Sequence, residues 1–248
     1  MTTASMEWRH NQSTTIRYRL QALNESALLV YIGESIDEAT AEVVSLVAIA
    51  LQDHLGELII DLVPSYTSIL INYDCDQLDS LAITHRVIQL IDSLQYQPLS
   101  TGHDSKVIQL PVYYGTEVAL DAAELCAMHQ LSFEQIVELH TSRCYRVYAI
   151  GFSPGFAYLG NLDARIASPR KATPRLKVPA GSVGLADSQT AIYPLTSPGG
   201  WQIIGRSPAK MIDWHANPPT PVAVGDFVQF VSIGRDEFLA LGGQLDGV

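Results

Sequence analysis

A chain of 248 residues, 47% hydrophobic and 17% charged, is long enough to bury a sizeable core and is not the composition of a disordered protein. Its net charge of −11 argues against nucleic acid or an anionic membrane as a general partner. No signal peptide is apparent in MTTASMEWRH, the densest apolar run (VVSLVAIAL, 43–51) is too short to span a bilayer, and Cys75, Cys126 and Cys144 form neither a CxxC pair nor a disulfide framework, so a reduced cytoplasmic protein is expected.

In chain order, residues 16–33 alternate as two strands around a turn at Asn24–Ser26. Ser35 and Glu38 have the spacing of a capping box, and Ala39, Val43, Leu46, Val47 and Ala50 make one helical face that Gly56 ends. LIIDLVPSY (58–66) and SILINYD (68–74) read as strands, and 77–94 as a second helix with Leu78, Leu81, Ile83, Val87, Leu90, Ile91 and Leu94 mostly on one side. The order is β-β-α-β-β-α, which packs economically as two helices on one face of an antiparallel sheet. Residues 95–106, with Pro98 and Gly102, read as a linker.

After the linker the pattern changes. VIQLPVYYG is a strand, and Asp121 with Glu124 and Ser132 with Gln135 announce two short helices. From Tyr145 onward YRVYAIG, GSVGLA, TAIYPL, WQIIG, FVQFVSI and EFLALG alternate with Gly/Pro turns, the rhythm of a barrel or sandwich. GFSPGFAYLG (151–160) carries too much Gly and Pro for a regular central strand and reads as a loop at the end of YRVYAIG.

Charge is uneven along the chain. Between Arg165 and Lys210 lie seven basic residues, one acid (Asp187) and six of the 13 prolines. A charge run of this kind is either a solvated loop or an anion-binding wall. In PRKATPRLKVPAGSVGLA (169–186) Arg170, Arg175 and Lys177 stand among prolines that stiffen the backbone, so Arg175 is expected outside any core and more important to activity than to folding. In SPGGWQIIGRSP (197–208) a Pro-Gly-Gly turn precedes Trp201 and Arg206, and its amides can form an anion nest. Phe152, Phe156 and Tyr158 offer apolar walls beside these cations. His140 follows a helix and serves either the helix dipole or a base or phosphate contact. The remaining histidines show no metal-ligand spacing, no metal is expected on the chain itself, and no GxxxxGK[ST] occurs.

GFSPGFAYLG, SPRKATPRLKVPAGSVGLA and YPLTSPGGWQIIGRSP, in this order, together with DLVPSYTSILINYD and the His140–Thr141 pair, strongly resemble the family of 5-oxoprolinase B subunits. That family also holds KipI-type histidine-kinase inhibitors and proteins named allophanate hydrolase subunit 1. The resemblance covers nearly the whole chain. It implies an α+β N-terminal domain (a ferredoxin-like β/α sandwich, residues 1–98) followed by a mostly-β cyclophilin-like barrel domain (residues 99–248). It also implies one component of a heteromeric enzyme. This component would act with the 5-oxoprolinase C subunit on 5-oxoproline, the ring being opened to L-glutamate with the A subunit. ATP, shared with the partner and accompanied by Mg2+, would be the co-substrate. On this reading His140, Arg175, Lys177 and Arg206 are the catalytic candidates. Phe156, Tyr158, Arg170, Pro179, Gly181, Ser182, Gln189, Gly199, Gly200 and Trp201 are the ligand contacts. A kinase inhibitor and a carboxylase- or allophanate-type subunit remain the alternatives, because all branches share these motifs.

Overall fold

A computed structural model describes residues 7–11, 16–96 and 107–245. The chain divides into two compact units, Met1–Asp104 and Ser105–Val248. The expected domain boundary at 98/99 and most of the expected linker lie outside the described residues.

The first unit follows the expected β-β-α-β-β-α order, with one short strand added in front. Strands β1 (Arg9–His10), β2 (Arg17–Ala22), β3 (Ala27–Tyr31), β4 (Ile59–Pro64) and β5 (Ser68–Tyr73) form an antiparallel sheet in the order β1-β2-β3-β5-β4. At the β2–β3 turn Leu23 N–H bonds to Ala27 O, and the Asn24 side chain accepts from Ser26 N–H, the local closure that makes Asn a turn residue. Helices α1 (Glu38–Leu55) and α2 (Ser80–Ser93) supply the rest of the core: Val43, Val47 and Leu51 from α1, and Ile83, Val87 and Ile91 from α2, meet Tyr18, Leu28, Val30, Ile69 and Ile71. The start of α1 differs from expectation. Asp37, not Ser35, is the N-cap and accepts from Thr40 N–H, while the Ser35 hydroxyl donates to Asp37. A carboxylate also complements the positive end of the helix, which a hydroxyl does not. Ala39 and Leu81 are exposed, because the buried stripes run along neighbouring positions.

The second unit is a curled seven-stranded sheet with few helices. Its strands are β6 (Val107–Val112), β7 (Cys144–Ile150), β8 (Ala157–Gly160), β10 (Ser182–Ala186), β11 (Gln189–Ile192), β13 (Gln202–Arg206) and β14 (Phe227–Ser232). Their order is β13-β10-β11-β8-β7-β14-β6, with only β14 and β6 parallel. A two-stranded ribbon, β9 (Arg175–Val178) with β12 (Ser197–Gly199), lies apart from it. The two edges of the large sheet meet at one bridge, where Tyr113 and Arg206 exchange both backbone hydrogen bonds at 2.8 Å. Pro111 is tolerated in β6 because that strand is an edge. Gly205 lets the seam close: a Cβ there would stand 2.8 Å from Tyr113 O.

Helices α3 (Ala122–His129) and α4 (Phe133–Thr141) cover the core through Leu125 and Ile136, and α4 opens with the expected Ser132/Gln135 capping box. Two expected elements change type. EFLALG is not a strand; α5 spans Arg235–Ala240, where Asp236 and Glu237 stabilise the first turn and Phe238 is the one buried residue. GFSPGFAYLG is only half a loop, since Ala157–Gly160 forms β8 between β7 and β11. The remainder, Ser153–Pro154–Gly155–Phe156, is a type II turn: Phe156 N–H bonds to Ser153 O, Pro occupies the second position and Gly155 the third at φ 82°.

A Cβ on Gly155 would lie 2.4 Å from Met211 O, a backbone atom that cannot swing away. Gly155→Ala therefore adds a clash to left-handed strain and is expected to cost more than about 2 kcal/mol. A denaturant midpoint equal to wild type would show that this turn has room to shift.

Candidate functional site

The residues singled out from the sequence do not gather at one point. They form two groups in the second unit that share strand β9.

The first group is built around Asp121. Its side chain caps nothing, contrary to expectation, and is buried instead. One carboxylate oxygen accepts from Lys171 Nζ at 2.9 Å and Arg175 Nη2 at 2.5 Å; the other accepts from Ile203 N–H at 2.7 Å. Burial raises the Asp121 carboxyl, but the bonds from Arg175, Ile203 N–H and Lys171 outweigh it and hold the group below the usual carboxylate range. Lys171 also reaches Glu124 at 2.6 Å, and both carboxylates push its ammonium upward. Arg175 is therefore a half-buried, tethered cation on a strand, and the expectation that it lies outside any core and matters little to folding is corrected. Its Nη1 is buried with no hydrogen-bond partner among the described residues.

Beside this ion cluster stands an aromatic one. Phe156 makes edge contacts with Tyr158 (4.8 Å between ring centres), Tyr193 (5.3 Å) and Trp201 (5.5 Å). Phe152 packs on Phe156 at 5.4 Å while remaining 66% exposed at φ 71°, a backbone setting a bulky residue rarely adopts. Arg170 lies 6.0 Å over the Trp201 ring. Burial pushes the Tyr158 phenol up, against a smaller opposing effect of Arg170. Gly199 is required here, because a Cβ would stand 2.3 Å from the Tyr193 hydroxyl. Lys171 N–H bonds to Gly200 O at 2.7 Å. Ser197–Gly199 pairs with β9 as β12, so the first part of the Pro-Gly-Gly stretch lies in a ribbon and not in an isolated turn.

The second group lines a surface cleft of about 510 Å³. Lys177, Arg206 and Lys210 bring positive charge to it, Pro179 and Gly181 form one wall, and Leu241–Gln244 form another. No acidic side chain lines it among the described residues. Arg206 is only 2% exposed, and its Nη1 donates to Gln244 O at 2.7 Å. Lys210, Asp121 and Lys171 were not among the residues singled out; the local signal for Lys210 was its place at the end of the basic window.

Three expected site residues lie elsewhere. His140 is fully buried between Tyr114 Oη (2.8 Å from Nδ1) and Thr190 Oγ1 (2.9 Å from Nε2), stacked 4.5 Å from Phe230. Burial lowers its pKa to about 3, so it is a neutral core residue that reaches neither group, and its reading as a base or phosphate contact is corrected. Ser182 is wholly buried, and its hydroxyl has no hydrogen-bond partner among the described residues. Gln189 opens β11 opposite Gly160, outside the cleft lining.

Two outcomes follow from these environments. Asp121→Ala leaves Arg175, Lys171 and Ile203 N–H without their common acceptor and is expected to cost about 3–5 kcal/mol in urea unfolding; a loss under about 1 kcal/mol would deny the cluster its structural role. For His140 the folded pKa lies below the unfolded one, so the unfolded state binds the extra proton. Its share of stability is complete above the unfolded value of about 6.5 and falls at up to about 1.4 kcal/mol per pH unit below it. His140→Gln should flatten the stability–pH curve between about pH 6.5 and 5 relative to wild type; parallel curves would refute the assignment.

Comparison with known proteins agrees with this architecture. The family model "Carboxyltransferase domain, subdomain C and D" matches residues 18–222. The 5-oxoprolinase B subunit of Bacillus subtilis (strain 168) is 34% identical over 233 residues, covering 91% of this chain and 97% of that protein. A solved structure of a conserved uncharacterized protein from Pyrococcus horikoshii is 38% identical, covers 88% of this chain and 99% of its own, and superposes with a TM-score of 0.52. Kluyveromyces lactis urea carboxylase, 18% identical, superposes at 0.73 over 95% of this chain and 23% of its own length, a likeness of fold alone. No helix among the described residues is long and apolar enough to cross a membrane. With the family model matched over most of the chain and a named relative covered almost end to end, the chain belongs to the family of 5-oxoprolinase B subunits.

Proposed function

We propose that this chain is the B subunit of a cytoplasmic, ATP-dependent 5-oxoprolinase. In this reading it acts with a related C subunit to phosphorylate 5-oxoproline, whose ring then opens to L-glutamate with the A subunit. The observation that carries the reading is the cleft with three cations and no acidic side chain among the described residues, on a chain without a P-loop sequence. A lactam carbonyl is resonance-stabilised and a poor electrophile. When bound, ATP supplies the phosphoryl group that makes it a good one.

This chain's own part is to hold negative charge in place. Lys177 and Lys210 suit phosphoryl oxygens, the buried Arg206 holds the wall through Gln244 O, and Arg170 beside Trp201 suits a small carboxylate resting on an apolar wall. Asp121 is committed to three partners and His140 is buried, so neither is assigned a proton transfer. Among the described residues no cluster of His, Cys, Asp and Glu suits a metal ion, so none is assigned to Mg2+. The C-terminal unit is read as a cyclophilin-like barrel on the support of its curled sheet. The N-terminal unit is read as a ferredoxin-like sandwich on the support of the order β2-β3-β5-β4, with the last strand of a β-α-β-β-α-β chain placed first. The kinase-inhibitor and carboxylase-type readings stay as alternatives, because the motifs are shared by all branches of the family and no single residue discriminates among them.

A cleft that binds charge without catalytic acids or bases is half a site. Purified alone, the chain is expected to release no ADP with 5-oxoproline; with the C and A subunits added, 5-oxoproline-dependent ADP release should appear. Full turnover by the single chain, or an inert reconstituted complex, would overturn the reading.

A further inference from the structure

The composition of the cleft specifies more than negative charge. Lys177 and Lys210 are exposed, and neither has an ion-pair partner among the described residues. They are point charges on mobile stems, which suit the tetrahedral, spread charge of phosphates. The third cation is held differently. Arg206 is buried, with Nη1 on Gln244 O, and so fixes the Leu241–Gln244 wall instead of turning its fork outward to clamp a carboxylate. The walls are stiff and close together. Pro179, Pro194 and Pro208 line them, and Gly181, at φ 80°, approaches so near that a Cβ would stand 2.4 Å from Ser207 O.

A volume of about 510 Å³ is more than a monocarboxylate fills and is within the usual range of ligand pockets. No aromatic side chain lines the cleft among the described residues, so a purine finds no stacking platform there.

We propose that this cleft is a phosphate-chain site that reads phosphoryl groups and not the nucleoside, with Lys177 and Lys210 as its contacts and Arg206 as the positioning residue of its C-terminal wall. The physiological anion, nucleotide or phosphorylated substrate, rests on the oxoprolinase reading above; the charge and shape of the cleft do not. Base recognition then falls outside this cleft.

The test is isothermal titration of the single full chain, at fixed ionic strength, with tripolyphosphate, ATP, inorganic phosphate, adenosine and 5-oxoproline. Tripolyphosphate and ATP should bind with dissociation constants within about threefold of each other, inorganic phosphate more weakly, and adenosine and 5-oxoproline not at all at millimolar concentrations. The Lys177→Gln/Lys210→Gln double variant should weaken both polyphosphates by about 100-fold, about tenfold per lysine, with an unchanged unfolding midpoint. The proposal is overturned if the folded chain binds neither polyphosphate, if adenosine competes with ATP, or if the double variant binds as wild type. Loss of the site with ADP-releasing turnover intact in the reconstituted complex would retire the cleft and leave the functional reading standing. Polyphosphate binding without turnover would support the cleft and remove the reading.

Discussion

A buried carboxylate with three donors is the constraint on which the second unit depends. Asp121 lies 82 residues from Ile203, yet the two are joined twice: Asp121 N–H to Ile203 O at 3.0 Å, and Ile203 N–H to the carboxylate at 2.7 Å. Arg175 and Lys171 complete the acceptor's shell. A carboxylate taken out of water is tolerable only when paired and hydrogen-bonded, so each partner is held as firmly as the group it compensates. The consequence is geometric. The proline-rich segment 169–178 is drawn onto the start of α3 and the edge strand β13, and with it come Gly200, Trp201 and the direction of β9.

That direction separates two kinds of cation within one basic window. Arg175 and Lys171 are neutralised in the ion cluster, whereas Lys177, two residues along the same strand, reaches the cleft. The seam of the curled sheet supplies the opposite wall. Arg206 pairs its backbone with Tyr113, closing an edge that would otherwise stay open, and directs its side chain beneath the C-terminal segment. One residue thus joins sheet closure to the shape of the cleft. On a chain of net charge −11, a cleft lined by three cations and, among the described residues, by no acid concentrates positive potential where the remaining surface repels anions.

The aromatic group adds a different feature. The type II turn at Ser153–Phe156 places Phe156 inside and leaves Phe152 outside at a left-handed φ of 71°. Strain of this kind persists only where the surroundings impose it, here the β7–β8 hairpin and the contact of Gly155 with Met211 O.

Most of the local structure was legible in the sequence, because it rests on short-range rules. Alternation placed β2 and β3, a run of branched residues placed β5, and short apolar runs between Gly/Pro turns placed β10 and β13; Ser132 with Gln135 placed α4; Pro-Gly in GFSPGFAYLG placed the turn. Errors arose where two local signals competed. Asp37 displaced Ser35 as a cap because a carboxylate serves the helix end better, and Asp236–Glu237 turned EFLALG into a helix. The site was legible only as composition. The residue types of an anion wall were present and their family recognisable, but a charge reveals its role through its partner, and partners here lie tens of residues away. His140 looked like a dipole partner or a base and is sealed between Tyr114 and Thr190; Arg175 looked remote from any core and is bound to the buried Asp121; Lys210 looked incidental and lines the cleft. The sequence by itself determined which segments become strands, turns and helices, since those choices depend on neighbours along the chain. Which cations remain available to a ligand was decided only by the tertiary structure, because burial and ion pairing depend on neighbours in space.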